Sequence, residues 1–120
     1  MKKVTARSNG KLLWECDATT NSLERAWGIM FRPRVETPLV ITFPREGTRL
    51  NAIHSLFCPE FDAVFVNTQG NVVDVVKVKP YTPAVVPRSP AALVIEAPPG
   101  SAKRKGIKPG ARISLEDALR

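Results

Sequence analysis

The sequence predicts an all-β domain, a compact β-sandwich or barrel of about seven strands with one short helix in its N-terminal half. Three observations carry this. There are 11 prolines in 120 residues, which exclude long helices after the first quarter of the chain and favour short strands joined by turns. Short apolar runs recur along the chain, each bounded by Gly, Pro or Asn, as strands ended by turns are. Helical periodicity is confined to one segment around Asn21 to Arg32, which argues against a parallel α/β sheet.

The strands can be taken in order. Val4 to Arg7 forms the first, Asn9-Gly10 a hairpin turn, and Lys11 to Cys16 the returning strand. Period-two alternation puts Leu12, Trp14 and Cys16 on the core face, with Cys16 as a small buried hydrophobe. Asn21 caps the helix, with Glu24 three residues on to complete a capping box. Leu23, Ala26, Trp27 and Met30 share its apolar face, Arg25 and Arg32 lie off it, and Pro33 ends it at or before Arg32. Leu39 to Phe43 is a further strand, Arg49 to Leu56 another, and Phe61 to Val66 with Val72 to Lys79 a hairpin around Asn67–Asn71. Pro80 to Pro90 reads as an extended surface loop. Ala91 to Glu96 is a strand, Ser101 caps a single turn through Lys105, and Ala111 to Leu115 is the last strand.

A hydrophobic fraction of 43% and a charged fraction of 24% are ordinary for a globular chain, and the length suits a single domain over residues 1–120. The basic start Met1-Lys2-Lys3 is not followed by the apolar stretch of a secretory signal, and no run approaches the ~20 apolar residues of a membrane span. A soluble, cytoplasmic protein with no membrane partner is the expectation. Two cysteines are too few for a disulfide framework, so reduced thiols follow. The net charge of +7 points to an anionic partner, either a small molecule or nucleic acid.

Several segments together resemble a known family. Glu24-Arg25-Ala26-Trp27-Gly28-Ile29-Met30-Phe31-Arg32 is similar to the E-R-x-x-G-L-M-x-R signature of domain-of-unknown-function family 192, also catalogued as uncharacterised protein family UPF0127. Ile53-His54-Ser55-Leu56-Phe57 followed by Phe61 to Val66 resembles its archaeal-type form. Val94-Ile95-Glu96-Ala97-Pro98-Pro99-Gly100 and Gly106-Ile107-Lys108-Pro109-Gly110 resemble its V-L-E-x-x-x-G and G-I-x-x-G segments. The likeness runs in order over about residues 12–114. It departs at His54 to Cys58, where bacterial members carry Trp-Met-Lys-Asn-Thr, and at Ala111, where an acid often stands. The resemblance implies a β-sandwich or barrel with no established activity.

The functional candidates follow from these segments. Asp62 shares strand parity with Val64 and Val66, so its carboxylate starts on an apolar face and needs a partner. Arg25 or Arg32 is the expected one, locking the helix end onto the sheet. With His54, these residues define the expected site, a polar ligand pocket formed by Arg25, Arg32, His54 and Asp62. The expected activity is binding without catalysis, and no catalytic residue, cofactor or metal is assigned. A metal held by His54, Cys58, Glu60 and Asp62 is disfavoured, since an extended stretch separates His54 from Cys58 by ~13 Å. A Cys58–His54 nucleophile lacks any supporting local motif. The rival reading is a nucleic-acid or ribosome-associated protein using the basic cluster Lys103, Arg104, Lys105, Lys108 and Arg112, at whose head Ser101 would cap an anion-attracting turn.

Overall fold

A computed structural model describes residues 1–117; residues 118–120, at the end of the expected domain, lie outside the described residues. Strand β1 (Lys2–Ser8) turns at Asn9-Gly10 into β2 (Lys11–Ala18). Helix α1 (Ser22–Trp27) precedes β3 (Leu39–Gly47) and a 3-10 turn (Arg49–Asn51). Then come β4 (Phe61–Val66), β5 (Val72–Val78), β6 (Ala91–Ala97), the single-turn helix α2 (Ser101–Arg104) and β7 (Ser114–Asp117). The fold is all-β, as the sequence predicts.

The seven strands form one sheet in the order β5-β4-β6-β3-β2-β1-β7. Every pair is antiparallel except β2–β3, which the chain joins through α1. The two outer strands do not remain open. Just before β7, Ala111 O accepts from Val72 N at 2.8 Å, Gly110 N donates to Val72 O at 2.9 Å, and Ile113 N donates to Gly70 O at 2.7 Å. One segment thus seals onto the start of β5 and then pairs with β1, closing the sheet as a barrel closes its edges.

Closure creates two cores. Val40, Val64, Val66, Ile95 and Ala97 face inward with Val4, Ala6, Trp14, Cys16, Val72 and Ile113. On the other face of the central strands, Leu39, Ile41, Phe61, Ala63, Phe65 and Val94 meet Ile29, Val35, Cys58 and Val85 from the loops. Strand β4 is buried along its whole length because both of its faces are covered. A near-continuous apolar run is how such a strand reads.

Four sequence-based expectations are corrected. In β2 the register slips between Ala6 and Arg7, whose partners are Trp14 and Leu12. The extra residue, Leu13, is buried while Leu12 is exposed, because a bulge breaks the alternation. Helix α1 buries no side chain. It ends at Gly28, whose φ of 53° leaves the helical region, and the chain then turns Ile29 inward in place of Ala26 and Trp27. Arg49 to Leu56 is not a strand: Asn51 is buried with its Nδ2 donating to Arg45 O and Ala91 O, and only an isolated bridge, Ile53 to Val85, follows. The last strand begins at Ser114, since Ala111 to Ile113 serve the seam with β5.

Candidate functional site

Strand β6 carries the residue around which a site can be built. Glu96 pairs with Ala63 of β4, so it lies on the second-core face and points toward the loops. It is 4% exposed, and its Oε1 is buried with no hydrogen-bond partner. Burial pushes its carboxyl up to about 8, with the Arg32 guanidinium pulling the other way. A carboxyl so placed keeps its proton at neutral pH. The backbone leaving α1 passes directly over it: a Cβ at Gly28 would stand 3.6 Å from Glu96 Oε1 and 3.8 Å from Ile41 Cδ1.

A cleft of about 240 Å³ opens beside this carboxyl. Arg25, His54, Cys58 and Glu96 supply its polar lining, while Trp27, Ile41, Phe43 and Ile53 contribute apolar walls. Arg25 is placed by α1, where Asn21 Oδ1 accepts from Glu24 N at 2.8 Å and Glu24 Oε1 accepts from Thr20 N at 2.8 Å. The capping box therefore forms, reaching one residue further back than the spacing alone predicts.

His54 and Cys58 reach the same cleft because their stretch is folded, not extended. Cys58 N donates to Ser55 O at 3.0 Å, and Phe57 has a φ of 60°, so the chain doubles back. His54 Nδ1 accepts from Leu56 N at 3.1 Å, which leaves Nε2 to carry the proton of the neutral ring. Cys58 Sγ donates to Leu56 O at 3.4 Å. Burial first, and the nearby Glu96 second, push its thiol up to about 11, the reverse of an activated nucleophile. Among the described residues no group of three His, Cys, Asp or Glu side chains could hold a metal ion.

Of the four residues expected to converge, Arg25 and His54 line the cleft. Arg32 lies beside it, in a hollow with Leu23, Trp27 and Gly28, close enough for its charge to act on Glu96. Asp62 is elsewhere, and this is a correction. It pairs with Ala97, on the sheet face opposite Glu96, and its Oδ2 accepts from Ala102 N at 3.0 Å. No ion pair joins Asp62 to Arg25 or Arg32 among the described residues. The need for a partner was legible, but the partner is a backbone N–H at the start of α2, which satisfies a buried carboxylate without desolvating a second charge.

The same bond disposes of the anion-binding turn expected at Ser101. The carboxylate drawn to the start of α2 is internal, and Ser101 lies within the helix with its Oγ donating to Pro98 O at 2.6 Å. Of the basic cluster, Arg112 donates to Gln69 O at 2.9 Å and to Asn71 Oδ1 at 3.3 Å. Lys105 Nζ sits 6.0 Å from the Trp14 ring centroid. Lys103, Arg104 and Lys108 are exposed. Glu96 is the residue that sequence reasoning missed. Its signal was an acid standing between Ile95 and Ala97 in an apolar strand, at the acidic position of the V-L-E segment.

Fold and site together define a small all-β domain whose closed sheet carries a cleft floored by a buried carboxyl. The chain belongs to the DUF192 family, described as "Uncharacterized ACR, COG1430", whose pattern matches residues 4–115. It is 38% identical over 96 residues to the UPF0127 protein PF1050 of Pyrococcus furiosus, covering 78% of this chain and 79% of that one. A crystal structure from Sinorhizobium meliloti 1021, described as a "putative transcription regulator", aligns with a TM-score of 0.81 at 19% identity, covering 95% of this chain and 92% of the other. A protein of unknown function from Novosphingobium aromaticivorans aligns with a TM-score of 0.80 at 22% identity, covering 93% and 83%. At those identities the two structures share the fold alone.

Proposed function

We propose that the domain is a non-enzymatic binding module whose cleft at the end of α1 takes a small organic anion with an apolar body. The observation that carries this is Glu96 Oε1, buried against the cleft with no partner. A buried polar atom left unpaired costs about 1–3 kcal/mol, and a ligand acceptor would recover it by accepting a hydrogen bond from the protonated carboxyl. Arg25 would meet the ligand's charge, and Ile41, Phe43 and Ile53 its apolar part. Two arginines acting on the site weigh against a cationic ligand.

Calorimetric titration at neutral pH with phenylacetate and with phenethylamine, a matched anion and cation, tests the reading. The expected result is saturable binding of the carboxylate only, weakened about tenfold by Arg25→Ala. Glu96→Gln keeps a donor and retains binding, whereas Glu96→Val loses it. Preference for the amine, or indifference to both Glu96 substitutions, would count against the proposal.

A further inference from the structure

Outside the cleft floor, the surface carries an arrangement that a monomer in water does not need. Trp27, Phe31, Phe57 and Tyr81 form a continuous ladder, with ring centroids 5.5, 5.3 and 6.1 Å apart in that order. All four are exposed, by 54, 62, 54 and 65% respectively. Leu23 and Leu50, 76 and 93% exposed, each share a hollow with Trp27, and Leu56 precedes Phe57. At about 150–250 Å² for each aromatic side chain, with somewhat over half of each exposed, the four rings present on the order of 470 Å² of apolar surface before the leucines are counted. That already places it in the ~300–600 Å² range of the largest patch on a typical soluble monomer, a patch that is often functional.

The rings are held outward at a conformational cost. Phe31, Phe57 and Tyr81 have φ of 65°, 60° and 63°, a region bulky residues adopt only where the surroundings impose it. The imposing bonds are backbone ones: Phe31 N donates to Phe57 O at 2.7 Å and Tyr81 N to Ser55 O at 3.0 Å. Ser55 is fully buried, and its Oγ accepts from Thr82 N at 2.7 Å. Three loops are thereby tied together beneath their aromatic tips.

We infer that this ridge seats the protein on an anionic lipid bilayer. The order of the ladder supports it: the two hydrocarbon rings, Phe31 and Phe57, are central, and the rings with polar handles, Trp27 and Tyr81, stand at the ends. That is how such side chains distribute between the acyl boundary and the headgroups. Arg25, Arg32, Arg49 and Lys79 belong to the same segments and make no ion pairs among the described residues. Of the acids near them in sequence, Glu24 is bonded to the N-terminal amine and Glu36 to Arg34, while Glu46 accepts from Thr68, which leaves Glu46 and Glu60 against four cations. Anionic headgroups complement that rim. A second copy would set one basic rim against another. Nucleic-acid bases need free ring faces, and Phe31 and Phe57 stack on each other at 24°. The contact is with a bilayer surface, since no helix among the described residues is long and apolar enough to cross a membrane; it departs from the sequence-based expectation of no membrane partner, which rested on the lack of an apolar run of spanning length.

The test floats the full chain with vesicles of phosphatidylcholine alone, and of phosphatidylcholine mixed with phosphatidylglycerol, at low and high salt. Trp14 is buried, so Trp27 reports insertion through a blue shift in emission, and Trp27→Phe removes that signal. The expected result is co-flotation with the anionic vesicles at low salt, release by high salt, and a loss of about tenfold or more in the double variant F31N/F57N. Asparagine tolerates the left-handed region, so that variant keeps or raises its unfolding midpoint, which separates lost contact from lost fold. Absence of co-flotation at low salt, or equal partition of the double variant, overturns the inference. So does self-association or oligonucleotide binding that the same two substitutions abolish while flotation is unchanged.

Discussion

Glu96 and Asp62 sit on adjacent strands, one on each face of the sheet, and both are buried. Water is denied to both, and each is accommodated differently. Asp62 has a backbone donor at 3.0 Å. Glu96 Oε1 has none, and the residue holds its proton up to about pH 8, against an ordinary value of 4.5. A folded-state value above the unfolded one fixes the sign of the linkage: the folded chain binds the extra proton between the two values, so stability falls as pH rises. The Glu96 contribution is complete below about pH 4.5 and is lost as pH climbs through about 8. Its size is on the order of a few kcal/mol, set chiefly by desolvation. Urea unfolding midpoints measured across that window should therefore fall for the native chain. For Glu96→Gln, which cannot ionise, the slope should flatten by that amount. An identical pH profile for the two proteins would mean that Glu96 is ionised and partnered in the fold.

At the scale of elements, what the sequence disclosed depended on whether periodicity ran unbroken. The β4–β5 hairpin was legible because Phe61 to Val66 is an apolar run broken by one acid, Val76 to Lys79 alternates, and turn-forming residues join the two. In β2 the alternation is interrupted, and Leu12-Leu13-Trp14 offers no local sign of which leucine is the extra residue. Gly28 misled in a related way: a helical face read through it placed Trp27 in the core, whereas the chain turns there and spends the buried position on Ile29. The cleft was half legible for the same reason, since Arg25 and His54 come from the signatures that resemble the family, while Glu96 needed the sheet faces to be known. The bulge makes a sharp prediction. Leu13→Ala should destabilise the fold by about 2–4 kcal/mol, and Leu12→Ala by less than about 0.5 kcal/mol, because one is core and the other is solvated. Chemical denaturation of the two variants decides it, and equal losses would refute the register.

For the whole molecule the decisive feature is the seam between β5 and the segment that leads into β7. Without it, the sheet would end in two unpaired edges, and the first core would lose the contacts of Val72 and Ile113 across the gap. Gly70 is the tightest point of that seam. Its φ is 84°, and a Cβ there would stand 2.9 Å from Ile113 O, a backbone atom that cannot swing aside. The same carbonyl neighbourhood carries the 2.7 Å bond from Ile113 N to Gly70 O, so relieving the clash means lengthening the bond that closes the barrel. Two separate penalties follow, one from the left-handed backbone and one from the close approach, and they are distinguishable. Asparagine accepts the backbone conformation nearly as well as glycine does, yet it brings the same Cβ. Gly70→Ala should lower stability by about 2–4 kcal/mol, and Gly70→Asn should recover only the smaller, conformational part of that loss. Hydrogen exchange locates the damage: the Ile113 and Val72 amides should lose protection first, ahead of the amides of β4 and β6 at the centre of the sheet. Full recovery by asparagine would show that the seam has room to spare, and that closure rests on the strand pairing of β7 with β1 alone.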